Sequence, residues 1–172
     1  MPIKKSEKQF TLIAHRGGAY DAPENTFEAF DLALEMGFDN IEPDIQLSSD
    51  GRCILIHDEF LDRTTGIQGL VAETSIAKIK SLNAGLWFEG PDDGAGSTGP
   101  LAYPDAFVPT LDEFLERYQK KIHAHLELKY NVHHWTIGYL SQYCQTPFPV
   151  QGQMLQRYSQ EHRMLLLYEQ LG

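Results

Sequence analysis

At 172 residues, with 42% hydrophobic and 22% charged positions, the chain is long enough to bury one globular core. A formal net charge of -10 excludes general affinity for nucleic acid or an anionic membrane, because sequence-independent phosphate binding needs a basic surface. Two cysteines, Cys53 and Cys144, make neither a disulfide framework nor a thiolate metal site, and both read as small buried hydrophobes.

The N-terminal "MPIKKSEKQF" has no apolar run of signal-peptide length, and no segment approaches a membrane span, so a cytoplasmic location is expected. "FTLIAH" (residues 10–15) reads as a buried strand closed by glycines. Asn25 then stands as a helix cap with Glu28 three residues on, and Phe27, Phe30 and Leu34 recur at helical intervals until Gly37. In "NIEPDIQL" the period drops to two, with Ile41, Ile45 and Leu47 on one face and Glu42, Asp44 and Gln46 on the other; Pro43 removes a ladder donor.

"SSDGR" is a turn leading into the apolar "CILIHD", as a hairpin or as an extended crossover. Residues 66–69 are turn-like, and "TSIAKIKSLNAG" reads as a helix started by Thr74 or Ser75 and ended by a glycine. "EGPDDGAGSTGP" is a surface loop. "VPTLDEFLERYQKK" is a helix capped by Thr110 with Glu113 in capping-box position, and it feeds the strand "IHAHLELK", where His125, Glu127 and Lys129 share one face. A helical "WTIGYLSQYC" and two apolar segments, "GQMLQRYS" and "RMLLLYEQLG", follow. The alternation predicts an α/β fold with largely parallel strands, about six of them, in a single domain over residues 1–172.

Four strand ends or faces carry polar groups where an apolar segment should be buried: His15 with Arg16, Glu42 with Asp44, His57 with Asp58, and Glu127 with Lys129. Each pair alone is most simply structural: a hydrogen-bonded loop histidine, a solvated strand face, a surface ion pair worth under about 1 kcal/mol. Their coincidence is what suggests convergence, since residues far apart in sequence meet at the carboxyl ends of parallel strands. Brought together, Glu42, Asp44 and Glu127 suit a hard divalent cation, Mg²⁺ or Ca²⁺. His15 and His57 suit acid and base catalysis near neutral pH, and Arg16 and Lys129 supply fixed positive charge for a phosphate oxygen. The chemistry these groups describe is metal-assisted phosphodiester cleavage.

The strings "AHRGG", "PENT", "IEPDIQLSSDG", "LIHDEFLDRTT", "LNAGLWF", "VPTLDEFL" and "HLELK" occur in one order and spacing over residues 10–130, and together they resemble the glycerophosphodiester phosphodiesterases. The resemblance implies a TIM-type barrel and metal-dependent hydrolysis of glycerophosphodiesters to glycerol 3-phosphate and an alcohol. Carried over by position, His15 and His57 are the catalytic pair, Arg16 and Lys129 lie at the phosphate, and Glu42, Asp44 and Glu127 hold the metal. Glu24 and Asn25 support the first loop. The resemblance also implies a cyclic phosphate intermediate formed by the substrate's own hydroxyl.

A (β/α)₈ barrel usually needs at least about 200 residues. Only "QEH" separates the last two apolar segments, where the family has a helix. An incomplete barrel, shortened in its C-terminal part, is therefore expected. Beside the small-molecule phosphodiesterase stand a lysophospholipase D of the same fold and a truncated, non-catalytic phosphoester-binding or assembly protein, and an incomplete barrel also allows a homo-oligomer in which a neighbour completes it.

Overall fold

Short apolar runs of period two pair side by side into one sheet, and the amphipathic helices between them cover it. The computed structural model describes residues 11–90, 103–118, 120–129, 152–158 and 164–170. The strands are β1 (Ala14–His15), β2 (Asn40–Glu42), β3 (Asp44–Leu47), β4 (Cys53–Leu55), β5 (His123–Leu128), β6 (Gly152–Tyr158) and β7 (Met164–Gln170). The helices are α1 (Phe27–Glu35), α2 (Asp62–Thr65), α3 (Ile76–Lys80) and α4 (Leu111–Tyr118). The loop at residues 91–100, the expected helix at residues 135–144 and Cys144 lie outside the described residues.

The sheet runs β1-β2-β5-β3-β4, with β7 on the other edge of β5 and β6 on β7. β2 and β3 are one line of chain interrupted by Pro43, and β5 runs parallel to both, pairing Ile41 with Ala124 and Asp44 with Glu127. Counted that way, the seven strands among the described residues make six, in line with the about six expected. Pro43 costs only its own donor, because its carbonyl still accepts from Glu127 N at 3.0 Å. The expectation of parallel strands holds for β1, β2, β3 and β5, whereas β4 and β7 run antiparallel to their neighbours. The first strand is shorter than predicted: among the described residues only Ala14 and His15 pair, and Leu12 and Ile13 are exposed.

Helix boundaries follow local chemistry with two corrections. The cap of α1 is Thr26, whose hydroxyl accepts from Ala29 N at 3.3 Å, and not Asn25, which sits in the left-handed region at φ 56°. The end of α1 is as expected: Phe38 N donates to the Ala33 carbonyl and Gly37 N to that of Leu34, a Schellman closure with Gly37 at φ 88°. Ser75 caps α3, but that helix ends at Lys80 without a glycine. Thr110 and Glu113 exchange hydrogen bonds at the start of α4, side chain to backbone in both directions.

Phe30 on α1 meets Phe114 and Tyr118 on α4 edge-on, at ring-centroid distances of 4.9 and 5.8 Å. Such contacts add about 0.5–1.5 kcal/mol each beyond area burial. These rings and Leu111 pack against Ile41, Ile45, Leu126 and Leu128, so one side of the sheet is sealed by hydrocarbon. Cys53 joins this core, and burial pushes its thiol up to about 12. A second cluster built on Ile54, Ile56, Leu61, Val71 and Ile79 lies under the β4 end. Because Ile41 and Ile45 point into the core, the alternate residues Glu42, Asp44 and Gln46 share the other face of their strand, yet all three are buried.

Candidate active site

The direction of β4 decides where the histidines meet. β3 and β4 form a hairpin through Ser48–Arg52, in which Gly51 (φ 75°) makes the turn and the Ser48 hydroxyl accepts from Arg52 N. The returning strand brings Ile56 N onto the Asp44 carbonyl at 3.1 Å, so His57 and Asp58 leave the sheet at the level of Asp44. β1 pairs His15 with Glu42 at the same level, and Lys129 follows the end of β5. His57 therefore reaches the site on an antiparallel strand and not at the carboxyl end of a parallel one. Gln46 pins that exit: its Nε2 donates to the carbonyls of His57 (2.9 Å) and Asp58.

The loop after β1 is pressed onto α1. Gly18 N donates to the Ala29 carbonyl at 2.7 Å, and a Cβ on Gly17 (φ 83°) would lie 2.7 Å from the Ala29 carbonyl carbon. No larger residue fits there. The same turn puts Arg16 at φ 57°, and its guanidinium reaches back over the sheet to Asp44 and Glu24. Two non-glycine residues in the left-handed region, Arg16 and Asn25, thus flank one site.

Asp44 is fully buried and is held from three directions: Arg16 Nε at 3.1 Å, Lys129 Nζ at 2.7 Å and Asn25 Nδ2 at 2.8 Å. The Asn25 amide oxygen also accepts from Asp44 N at 3.1 Å, so this side chain clamps the strand at both its backbone and its carboxylate. Glu127 pairs with Lys129 at 2.9 Å. Among the described residues Glu42 has no such donor; its oxygens are buried, with His15 Nε2 at 3.7 Å and the Glu127 carboxyl beside it. Burial first, then the charge of Asp44 and the contact with Glu127, hold the Glu42 carboxyl well above the usual carboxylate range.

Oxygens of Glu42, Asp44 and Glu127 lie within 4.8 Å of one another, close enough to grip one metal ion. The donor set is all carboxylate, which suits a hard cation. Around it Glu24, Glu42, Asp44, Asp58 and Glu127 face three fixed cations, Arg16, Arg63 and Lys129. With all of them ionised, two negative charges remain, the number a divalent ion neutralises.

The histidines differ in environment. His15 is largely exposed at the mouth, with 66% of its side chain accessible. Partial desolvation and then the Arg16 charge lower its affinity for a proton, against the opposing pull of Asp44 and Glu127, and so favour the neutral imidazole. His57 Nδ1 lies 2.7 Å from Asp58 Oδ1. Asp58 is held down at about 2, chiefly by its hydrogen bond from Arg63, and so accepts from Nδ1–H. That leaves Nε2 as the reactive nitrogen.

All nine residues expected from the sequence belong to this one constellation. Three more, Gln46, Asp58 and Arg63, carried no assigned role in the sequence, although Asp58 stood with His57 among the polar strand ends and Arg63 lies in "LIHDEFLDRTT". Gln46 could have been found from its alternation with Glu42 and Asp44, and Asp58 from its place beside His57. No spacing announces that Arg63 pairs with Asp58, five residues before it, and with Glu24, 39 before it.

The model of the glycerophosphoryl diester phosphodiesterase family matches residues 15–143, three quarters of the chain and every residue of the site. The chain belongs to that family. A glycerophosphodiester phosphodiesterase of Bacillus subtilis is 38% identical over 124 residues, covering 72% of this chain and 41% of its own length. The crystal structure of the phosphodiesterase from Agrobacterium tumefaciens superposes with a TM-score of 0.64 at 39% identity, over 78% of this chain and 53% of that one. A phosphodiesterase from Oleispira antarctica, solved with the product sn-glycerol-3-phosphate, gives 0.56 at 37% identity over 68% and 43%. The chain spans less than half the length of the curated family relatives it matches. The sheet described above is accordingly part of the family's TIM-type barrel, as its length had led us to expect. Among the described residues no helix is long and apolar enough to cross a membrane.

Proposed function

We propose that this site hydrolyses glycerophosphodiesters to glycerol 3-phosphate and an alcohol, with Glu42, Asp44 and Glu127 holding a Mg²⁺ or Ca²⁺ ion. The observation that carries the proposal is the trio of buried carboxylates, close enough together to grip one ion, beside two imidazoles. A bound divalent cation would supply Lewis-acid stabilisation of charge developing on a phosphoryl oxygen. Arg16 and Lys129, fixed by their contacts with Asp44, add positive charge on the same side and orient the phosphate. His15, whose surroundings favour the neutral imidazole, takes the proton from the attacking hydroxyl, which is the substrate's own if a cyclic phosphate forms and water if it does not. His57, entering as the imidazolium, then gives its Nε2 proton to the departing alkoxide and keeps the Nδ1 proton on Asp58. Where a cyclic phosphate has formed, water opens it with the roles reversed, His57 Nε2 taking the proton from water and His15 returning its own to the ring oxygen that leaves. The names of the relatives support the substrate class, and the product in the Oleispira antarctica structure is the one this reaction releases.

Hydrolysis of glycerophosphocholine, with release of glycerol 3-phosphate followed in the presence and absence of EDTA, tests the proposal. Turnover should be abolished by chelator and restored by Mg²⁺ or Ca²⁺. His15→Ala and His57→Ala should each lower kcat by at least about a hundredfold. Chelator-resistant turnover, or a histidine variant of near-full activity, would contradict it, and a folded protein that binds glycerol 3-phosphate without turnover would mark a phosphoester-binding protein.

A further inference from the structure

Outside the metal trio, the densest polar contact at this site is made by a residue that touches neither the trio nor a histidine. The Arg63 guanidinium donates through Nε to Asp58 Oδ2 and through Nη1 and Nη2 to the two oxygens of Glu24, at 3.0 and 2.6 Å. Asp58 holds His57 through its other oxygen, and Glu24 holds Arg16 Nη1 at 3.1 Å. Arg63 thus joins the chain segment carrying His57 to the loop carrying His15 and Arg16 by direct hydrogen bonds, and it spans them with a planar fork. Its own place is fixed on both sides. The four-residue α2 is closed by Gly66 (φ 71°), and the Trp87 ring lies over the guanidinium at 5.5 Å, itself tied by Nε1 to the Ala84 carbonyl at 2.8 Å.

We infer that Arg63 is a positioning residue: it clamps Asp58 against Glu24 so that His57 is presented with its proton on Nδ1 and its Nε2 toward the substrate. Trp87 braces the clamp, which gives "LNAGLWF" a part in the site without contact with substrate. The role rests on the proposed acid-base function of His57, but the orientation of the ring is measurable without turnover. Lysine cannot replace the arginine, because one ammonium offers no fork to engage both carboxylates in these directions.

The test is ¹⁵N-histidine NMR at a pH high enough for the His57 ring to be neutral, so that the proton left on the ring reports which nitrogen Asp58 holds, with the His57 signal assigned by its loss in His57→Gln, alongside kcat on glycerophosphocholine. Wild-type protein should show the Nδ1–H tautomer. Arg63→Met should show a mixture of tautomers and a kcat lowered by about tenfold to a hundredfold, the range expected for a misplaced catalytic group. Arg63→Lys should recover only part of either property, and it carries the test if Arg63→Met does not fold. Either variant keeping both the wild-type tautomer and a kcat within about twofold of wild type would overturn the inference. A wild-type protein without turnover in which Arg63→Met still changes the tautomer would support the positioning role and remove the catalytic proposal instead.

Discussion

Asn25 combines a left-handed backbone with a buried side chain that clamps Asp44, and replacing it separates the two contributions. In Asn25→Ala the hydrogen bond to the Asp44 carboxylate is lost, worth about 1.5–3 kcal/mol as a bond to a charged group. Asp44 N, buried, loses its acceptor at a cost of about 1–3 kcal/mol. Alanine at φ 56° adds about 1 kcal/mol of strain relative to glycine. Because the first two losses share one relaxation, the expected destabilisation is about 3–5 kcal/mol, or a fall in Tm of about 6–15 °C for a chain of this size. Asn25→Gly loses the same hydrogen bonds without the strain, and should be about 0.5–1 kcal/mol less destabilised than Asn25→Ala after allowing for glycine's greater freedom when unfolded. Urea unfolding in EDTA, followed by fluorescence of Trp87 and Trp135, measures both. An alanine variant within about 1 kcal/mol of wild type, or a glycine variant no better than alanine, would refute the reasoning.

The metal-free protein should lose stability as pH rises from about 5 to about 8. Glu42 binds its proton more tightly folded than unfolded, so its contribution is complete at low pH and disappears as the folded carboxyl ionises. Added Mg²⁺ or Ca²⁺ should reverse that slope in thermal melts, and an unchanged slope would show that neither ion takes Glu42. Glu42→Gln should flatten the metal-free profile while raising the cation concentration for half-maximal rate, read by titration after EDTA treatment. Gly17→Ala must push the loop off α1 or distort it, and should destabilise by more than about 2 kcal/mol in urea unfolding while also lowering kcat through Arg16; a neutral result would mean that the loop yields freely.

Much of the framework is written in neighbouring residues. The alternation at Ile41 and Ile45 sets which side of that strand meets the core, and hence that Glu42, Asp44 and Gln46 share the other. The Thr110–Glu113 capping box and the Gly37 closure depend on atoms within five positions of each other, so local chemistry determines them completely. The candidate residues were legible too, as polar groups interrupting segments too apolar for a surface. Three features were decided only when the chain folded. The sense of the link at Ser48–Arg52 depends on what lies beside β3, and the hairpin is what returns His57 to the level of Asp44. Asn25 and Thr26 offer capping frames one residue apart, and the choice between them is made by Asp44, nineteen residues away, which takes the asparagine for itself. The fork of Arg63 joins Asp58 to Glu24, a pairing that no spacing announces, and the protonation of Glu42 depends on how many carboxylates are buried together. Charge and hydrogen-bond satisfaction are sums over everything within a few ångströms, and only the tertiary structure says what that is.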